Sequence, residues 1–100
     1  MTFDEFTKSL EGCSPPPGIP ELLAALWCEA RGDWDRAHWI AQDIETPDGS
    51  LVHAYLHRKE GDIDNARYWY RRAGRPERRD PLDQEWSHLA RALLGDRSLE

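Results

Sequence analysis

The chain has little of what most chemistry in a small protein requires. Its two cysteines, Cys13 and Cys28, form neither a CxxC pair nor a disulfide framework, which points to a reducing compartment, the cytoplasm. No stretch approaches the roughly 20 apolar residues of a membrane helix. The first residues, from Met1 to Glu5, lack the basic start and apolar run of a secretory signal. There is no glycine-rich loop to cradle a phosphate and no HExxH pair of histidines. No nucleophile constellation stands out either. Cys28 lies in an apolar run that reads as inert core, and Cys13 sits in a proline loop with no histidine nearby. Nothing alternates with period two over a useful length, so strands are not expected. These absences leave no cofactor to expect, no catalytic residue to name and no membrane as a partner.

What is present suits a single helical domain over residues 1–100. Hydrophobic content is 39% and charged content 32%, the balance of a folded chain rather than a disordered one. Five tryptophans supply much apolar area for a small core. The net charge of −6 is unevenly spread. Residues 66–79 carry six arginines against one glutamate, a basic island in an otherwise acidic molecule. Such an island is a partner site, or it pairs with the acidic remainder.

Two stretches repeat. Gly32-Asp33-Trp34-Asp35-Arg36-Ala37 returns 29 residues later as Gly61-Asp62-Ile63-Asp64-Asn65-Ala66, and each copy has an alanine seven residues before its glycine, Ala25 and Ala54. Glycine at a helix end, aspartate to cap the next helix and a small residue where helices touch are the punctuation of helical hairpins. The first hairpin spans 20–45. Its opening helix, from Pro20 to Arg31, is apolar nearly all round, as buried helices are. Its second helix carries the stripe Trp34, Ala37, Ile40, Ala41 and Ile44. Residues 46–50, Thr-Pro-Asp-Gly-Ser, read as a turn. The second hairpin spans 51–74: Leu51, Val52, Tyr55 and Leu56 line one face of its first helix, and Ile63, Ala66, Trp69, Tyr70 and Ala73 form the stripe of its second.

Residues 1–19 hold a short helix with a Thr2/Glu5 capping box, then a proline-rich connector. A last helix over 80–96 starts at the cap and proline Asp80-Pro81, ends at Gly95-Asp96, and reads as a cap on the open end of the stack.

The hairpins resemble the tetratricopeptide repeat. Ala54, Gly61, Ala66, Tyr70 and Ala73 fall at that family's small and large positions, and Ala25, Gly32 and Ala37 repeat the first three, while Ala41 and Ile44 invert the last two. The 29-residue period is shorter than the family's. The runs His53-Ala54-Tyr55-Leu56-His57-Arg58-Lys59-Glu60-Gly61-Asp62 and Asn65-Ala66-Arg67-Tyr68-Trp69-Tyr70-Arg71-Arg72-Ala73-Gly74 also look like a small family of uncharacterised, largely bacterial proteins. The resemblance implies an all-α, tetratricopeptide-like stack of two hairpins with a C-terminal capping helix and a short N-terminal helix. It leaves the activity open.

Three functional readings follow. The first is a protein-interaction module that takes a peptide or acidic protein surface in the groove of the first helices, with Arg67, Tyr68, Arg71, Arg72 and Arg75 as contact residues. The second is a metal site or small enzyme using His53, His57 and Glu60. Two histidines one turn apart chelate a divalent ion, a nearby carboxylate serves as ligand or base, and His38 or His88 completes the set if the fold brings it near. The helical wheel turns all three away from the Leu51/Val52/Tyr55/Leu56 face, whereas the repeat register puts both histidines at a helix contact. The third is RNA binding through the arginines from Arg67 to Arg79, which the acidic balance of the whole chain disfavours. Binding is favoured over catalysis. Trp39 and Tyr68, at matching positions, are expected to pack on the next helix of the stack. A homo-oligomer stays open, because an uncapped apolar end pairs with another copy.

Overall fold

Local signals open and close most of the helices. In the computed structural model, which describes residues 1–95, Glu5 N–H donates to Thr2 Oγ1 (3.1 Å) and Thr2 N–H to Glu5 Oε1 (2.8 Å). This reciprocal box opens α1 (Phe3–Ser9). Gly32 separates α2 (Glu21–Ala30) from α3 (Trp34–Gln42), and Gly61 separates α4 (Pro47–Glu60) from α5 (Ile63–Ala73). Both glycines are left-handed, at φ +89° and +90°, which frees the next amide to reach back. Asp33 N–H donates to Cys28 O and Asp62 N–H to His57 O, each at 2.9 Å. The two aspartate carboxylates then accept from Arg36 and Asn65 N–H. After a connector comes α6 (Leu82–Leu93). Among the described residues the regular structure is helix alone, the all-α class expected.

Several boundaries differ from those expected. Residues 47–50 are the first turn of α4, not a connection: Thr46 Oγ1 accepts from Gly49 N–H (3.0 Å), and Pro47 occupies the first helical position, where its missing donor costs nothing. Gly49 is required there by a close approach, since a Cβ would lie 2.0 Å from Ile44 O. Ile44 lies beyond α3. Pro20 and Pro81 stand just outside α2 and α6. Asp80 does not cap α6, because its carboxylate is taken by Arg78 Nε (3.0 Å). The expected end of the last helix at Asp96 lies outside the described residues, although Gly95 is left-handed as a helix stop should be.

The two hairpins pack side by side, with α3 against α4, so α4 is enclosed by α3 and α5. Leu23, Leu26, Val52 and Leu56 form the centre of the core. Instead of covering the end of the stack, α6 crosses both first helices, α2 and α4. Trp86 Nε1–H donates to Leu26 O (3.0 Å), and Phe6 of α1 stacks on the Trp86 ring at 5.7 Å. The helix α6 thus covers part of the groove expected between first helices, leaving a cavity lined by Glu29, Tyr55, Lys59 and Trp86.

Two carboxylates are buried where these helices meet. Glu85 of α6 has no exposed surface. It accepts from Arg58 Nη1 (2.8 Å) and from Tyr70 O–H (2.6 Å). Glu29 of α2 accepts from Tyr55 O–H (3.2 Å) and pairs with the Lys59 ammonium. Burial, reinforced by the neighbouring carboxylate, pushes both tyrosine hydroxyls far above their ordinary acidity range, so they remain donors. Removing one partner of a buried pair strands the other charge, at about 3–5 kcal/mol. Glu85→Ala should therefore lower the urea midpoint severely, while Glu85→Gln, which keeps a hydrogen-bonding group beside Tyr70 and Arg58, should lose less. Equal midpoints for Glu85→Ala and the parent protein would show that this pair does not hold α6 down.

Candidate metal centre

The junction between the hairpins is built on small residues. Ala37 and Ala41, one turn apart and both buried, lie on α3, which packs against α2 and α4. Trp34 and His38 sit beside them on the same helix. Trp34 Nε1–H donates to Leu56 O of α4 (2.7 Å), and its ring stacks on His38 at 4.9 Å. From α4, His53 and His57 are also one turn apart and therefore share a face. Their rings stack at 4.8 Å. Trp69 of α5 closes the other side, stacked on His53 at 3.9 Å. Three imidazoles thus meet between two indoles.

Hydrogen bonds set their orientation. His38 Nε2 and His53 Nε2 are 2.8 Å apart, so one ring donates and the other accepts. His57 Nδ1–H donates to Glu60 Oε2 at 2.6 Å. A ring that gives Nδ1–H to a carboxylate keeps its Nε2 lone pair for another partner, and this is how second-shell carboxylates orient metal-binding histidines. One nitrogen from each of His38, His53 and His57 lies within 4.8 Å of the other two. Tetrahedral coordination with bonds of about 2.0–2.1 Å places donors about 3.3 Å apart. The close pair must open slightly and the wider spacing contract, movements within reach of imidazole tilting.

Protonation favours ligand chemistry. Burial, with His38, His57 and Arg72 adding positive potential, pulls His53 down from 6.5 to about 4. Burial also lowers His38, and His57 reinforces it. Both rings are therefore neutral at physiological pH, the form that coordinates metals.

The wheel and the repeat register disagreed about His53 and His57, and the structure follows the register: they are 5% and 7% exposed. Glu60 is exposed and reaches the cluster only as the acceptor from His57. With His57 and Asp62 it forms a second, outer group of potential donors. His38 completes the inner set. His88 does not, since it lies on α6 beside Leu51 and Arg75, along a separate cleft. The indoles of Trp34 and Trp69, assigned only to core stripes, are the walls of the site. Their signal was available in part, because Trp34 and His38 are spaced i, i+4 beside the Ala37 contact.

The arginine residues lie elsewhere, on and after α5. Arg67 pairs with Glu77 (3.1 Å) and Asp64 (3.4 Å). Arg72 lies over the Trp69 ring, with its guanidinium carbon 5.1 Å from the centroid. Arg71 and Arg75 are exposed and have no carboxylate in ion-pair range among the described residues. Trp39 and Tyr68 do not pack on a neighbouring helix as expected: they are 61% and 45% exposed.

Compared with known proteins, the chain matches no family model, no curated protein and no solved structure.

The His53 environment has a consequence for pH. Its folded value lies below its unfolded one, so the unfolded state takes up the proton first as pH falls. Its contribution to stability is present above pH 6.5 and is lost progressively down to about pH 4. In the metal-free protein, the His53 ring resonances should still report a neutral imidazole at pH 5.5, and the thermal midpoint should drop across that window. A His53 titration midpoint near 6.5 would contradict the burial argument.

Proposed function

We propose that this protein binds a first-row transition ion of the zinc class through His38, His53 and His57. The observation that carries this reading is the meeting of three imidazole donors from both hairpins, with Glu60 orienting one of them. Imidazole donors select zinc, nickel or copper over magnesium and calcium, which prefer oxygen. An ion held by His38 on α3 and by His53 and His57 on α4 ties the first hairpin to the second. Binding that occurs only in the folded state stabilises it by mass action, by about 2.7 kcal/mol at a hundredfold excess over Kd.

Untagged protein should therefore carry one zinc per chain after exposure and dialysis, and its melting point should rise by roughly 10 °C or more at that excess. His53→Ala should abolish both effects. Glu60→Gln should weaken affinity by about 10–100-fold, as loss of a second-shell carboxylate does. Substoichiometric zinc with an unmoved melting point would remove this reading.

A second reading, an interaction module with tetratricopeptide-like hairpins, is favoured by the outer face of α5 and the residues just after it. There Tyr68 is exposed, Arg71 and Arg75 have unpaired guanidiniums, and Arg72 stacks on Trp69. Unpaired arginines beside an exposed ring suit an acidic peptide. A glutamate-rich peptide should bind more weakly as salt rises, and Arg71→Ala combined with Arg72→Ala should weaken it at least several-fold at low salt. A bound peptide indifferent to both changes would place its contact on another face.

A further inference from the structure

The metal reading leaves the coordination incomplete, and that incompleteness has a chemical consequence. The inner group contains three donors, and among the described residues no fourth histidine, cysteine, aspartate or glutamate shares their space. A zinc-class ion takes four ligands or more. At least one position is then left without a ligand from these side chains among the described residues.

The character of that external ligand follows from the walls of the site. All three donors are imidazoles that coordinate as neutral groups, so the ion keeps its full double charge. Glu60, the nearest carboxylate in the cluster, is hydrogen-bonded to His57 Nδ1. Arg72 adds positive charge behind the site: its guanidinium covers Trp69, and Trp69 lies flat on His53. The field at the open position therefore attracts an anion. The indoles of Trp34 and Trp69 flank the cluster and limit its size. His38 is the least buried of the three histidines and sits on the solvent side.

We propose, resting on the metal reading, that the loaded His38/His53/His57 centre is a binding site for one small monoanion in the open coordination position. Without another anion, water fills that position. Because the ion's charge would not be offset by a ligating carboxylate, a bound water would be more acidic than free water. A competing small anion displaces that water without any change in the three protein ligands.

Cobalt(II) in place of zinc makes the centre visible, and sodium azide serves as the probe anion. The full chain loaded with one cobalt per molecule should show the intense visible bands of a low-coordinate, nitrogen-bound ion. Azide should shift those bands saturably, with one azide per cobalt, while the larger dianion of sodium sulfate at matched ionic strength should shift them far less. His53→Ala should lose both the bands and the azide response. Cobalt bands indifferent to azide would overturn the anion site and leave the metal reading standing. Absence of cobalt bands would overturn the metal reading itself. An azide response that persists in His53→Ala would assign the effect to cobalt bound elsewhere, and this too would overturn the proposal.

Discussion

One helix is enclosed by its neighbours over much of its length while carrying eight polar or ionisable side chains, and the rest of the fold is arranged around that demand. Over its second half α4 presents His53, Tyr55, His57, Arg58 and Lys59 among Val52, Ala54 and Leu56. A buried polar group without a partner costs about 1–3 kcal/mol, and a charge costs more. Each of these side chains therefore needs a defined answer from another helix or from its own last turn. Glu29 of α2 answers Tyr55 and Lys59, and Glu85 of α6 answers Arg58. His38 of α3 answers His53, and Glu60 answers His57. The hydrophobic contacts supply the bulk of the driving force; these pairings select the one arrangement in which α4 is satisfied.

The pairings divide α4 into two chemically different sides. Toward α2 and α6 the partners are carboxyl groups, bound by an arginine, a lysine and two tyrosine hydroxyls whose acidity is suppressed by burial. Toward α3 and α5 the partners are aromatic and uncharged, with His38 and His53 held neutral between indoles. The repeat explains the shape shared by both hairpins but not this chemistry. Twenty-nine residues before His53, His57 and Arg58 stand Ala24, Cys28 and Glu29. The first hairpin thus supplies an apolar partner surface and one carboxylate, and the second supplies the site.

The parts of the fold readable in the sequence were those fixed within a few residues. Gly32-Asp33 and Gly61-Asp62 work through hydrogen bonds that span a single helix end, so their meaning survives without knowledge of the tertiary structure. Residues 46–50 show the limit of that approach. Threonine, proline, aspartate, glycine and serine favour turns and helix starts alike, and the deciding fact is distant from composition: Gly49 is there because Ile44 O leaves no room for a Cβ. His53 and His57 were legible as a pair because they share a helix face. Their third partner was not, since His38 reaches them only through the packing of α3 against α4.

The course of α6 bears on what surface remains for partners. An amphipathic helix seated across the first helices, with Glu85 read by an arginine and a tyrosine, is the type of contact by which helical-repeat grooves recognise acidic ligands. Here that recognition is made within the chain, and Phe6 and Trp86 seal it. A partner arriving at the groove would have to displace a buried ion pair along with apolar packing. The outer sides of α3 and α5 carry no such obstacle. Trp39 and Tyr68 stand there at equivalent repeat positions, and both are exposed. The helix α6 packs across the first helices, and the three histidines meet between the hairpins, so the outer sides of the second helices are chemically distinct from both.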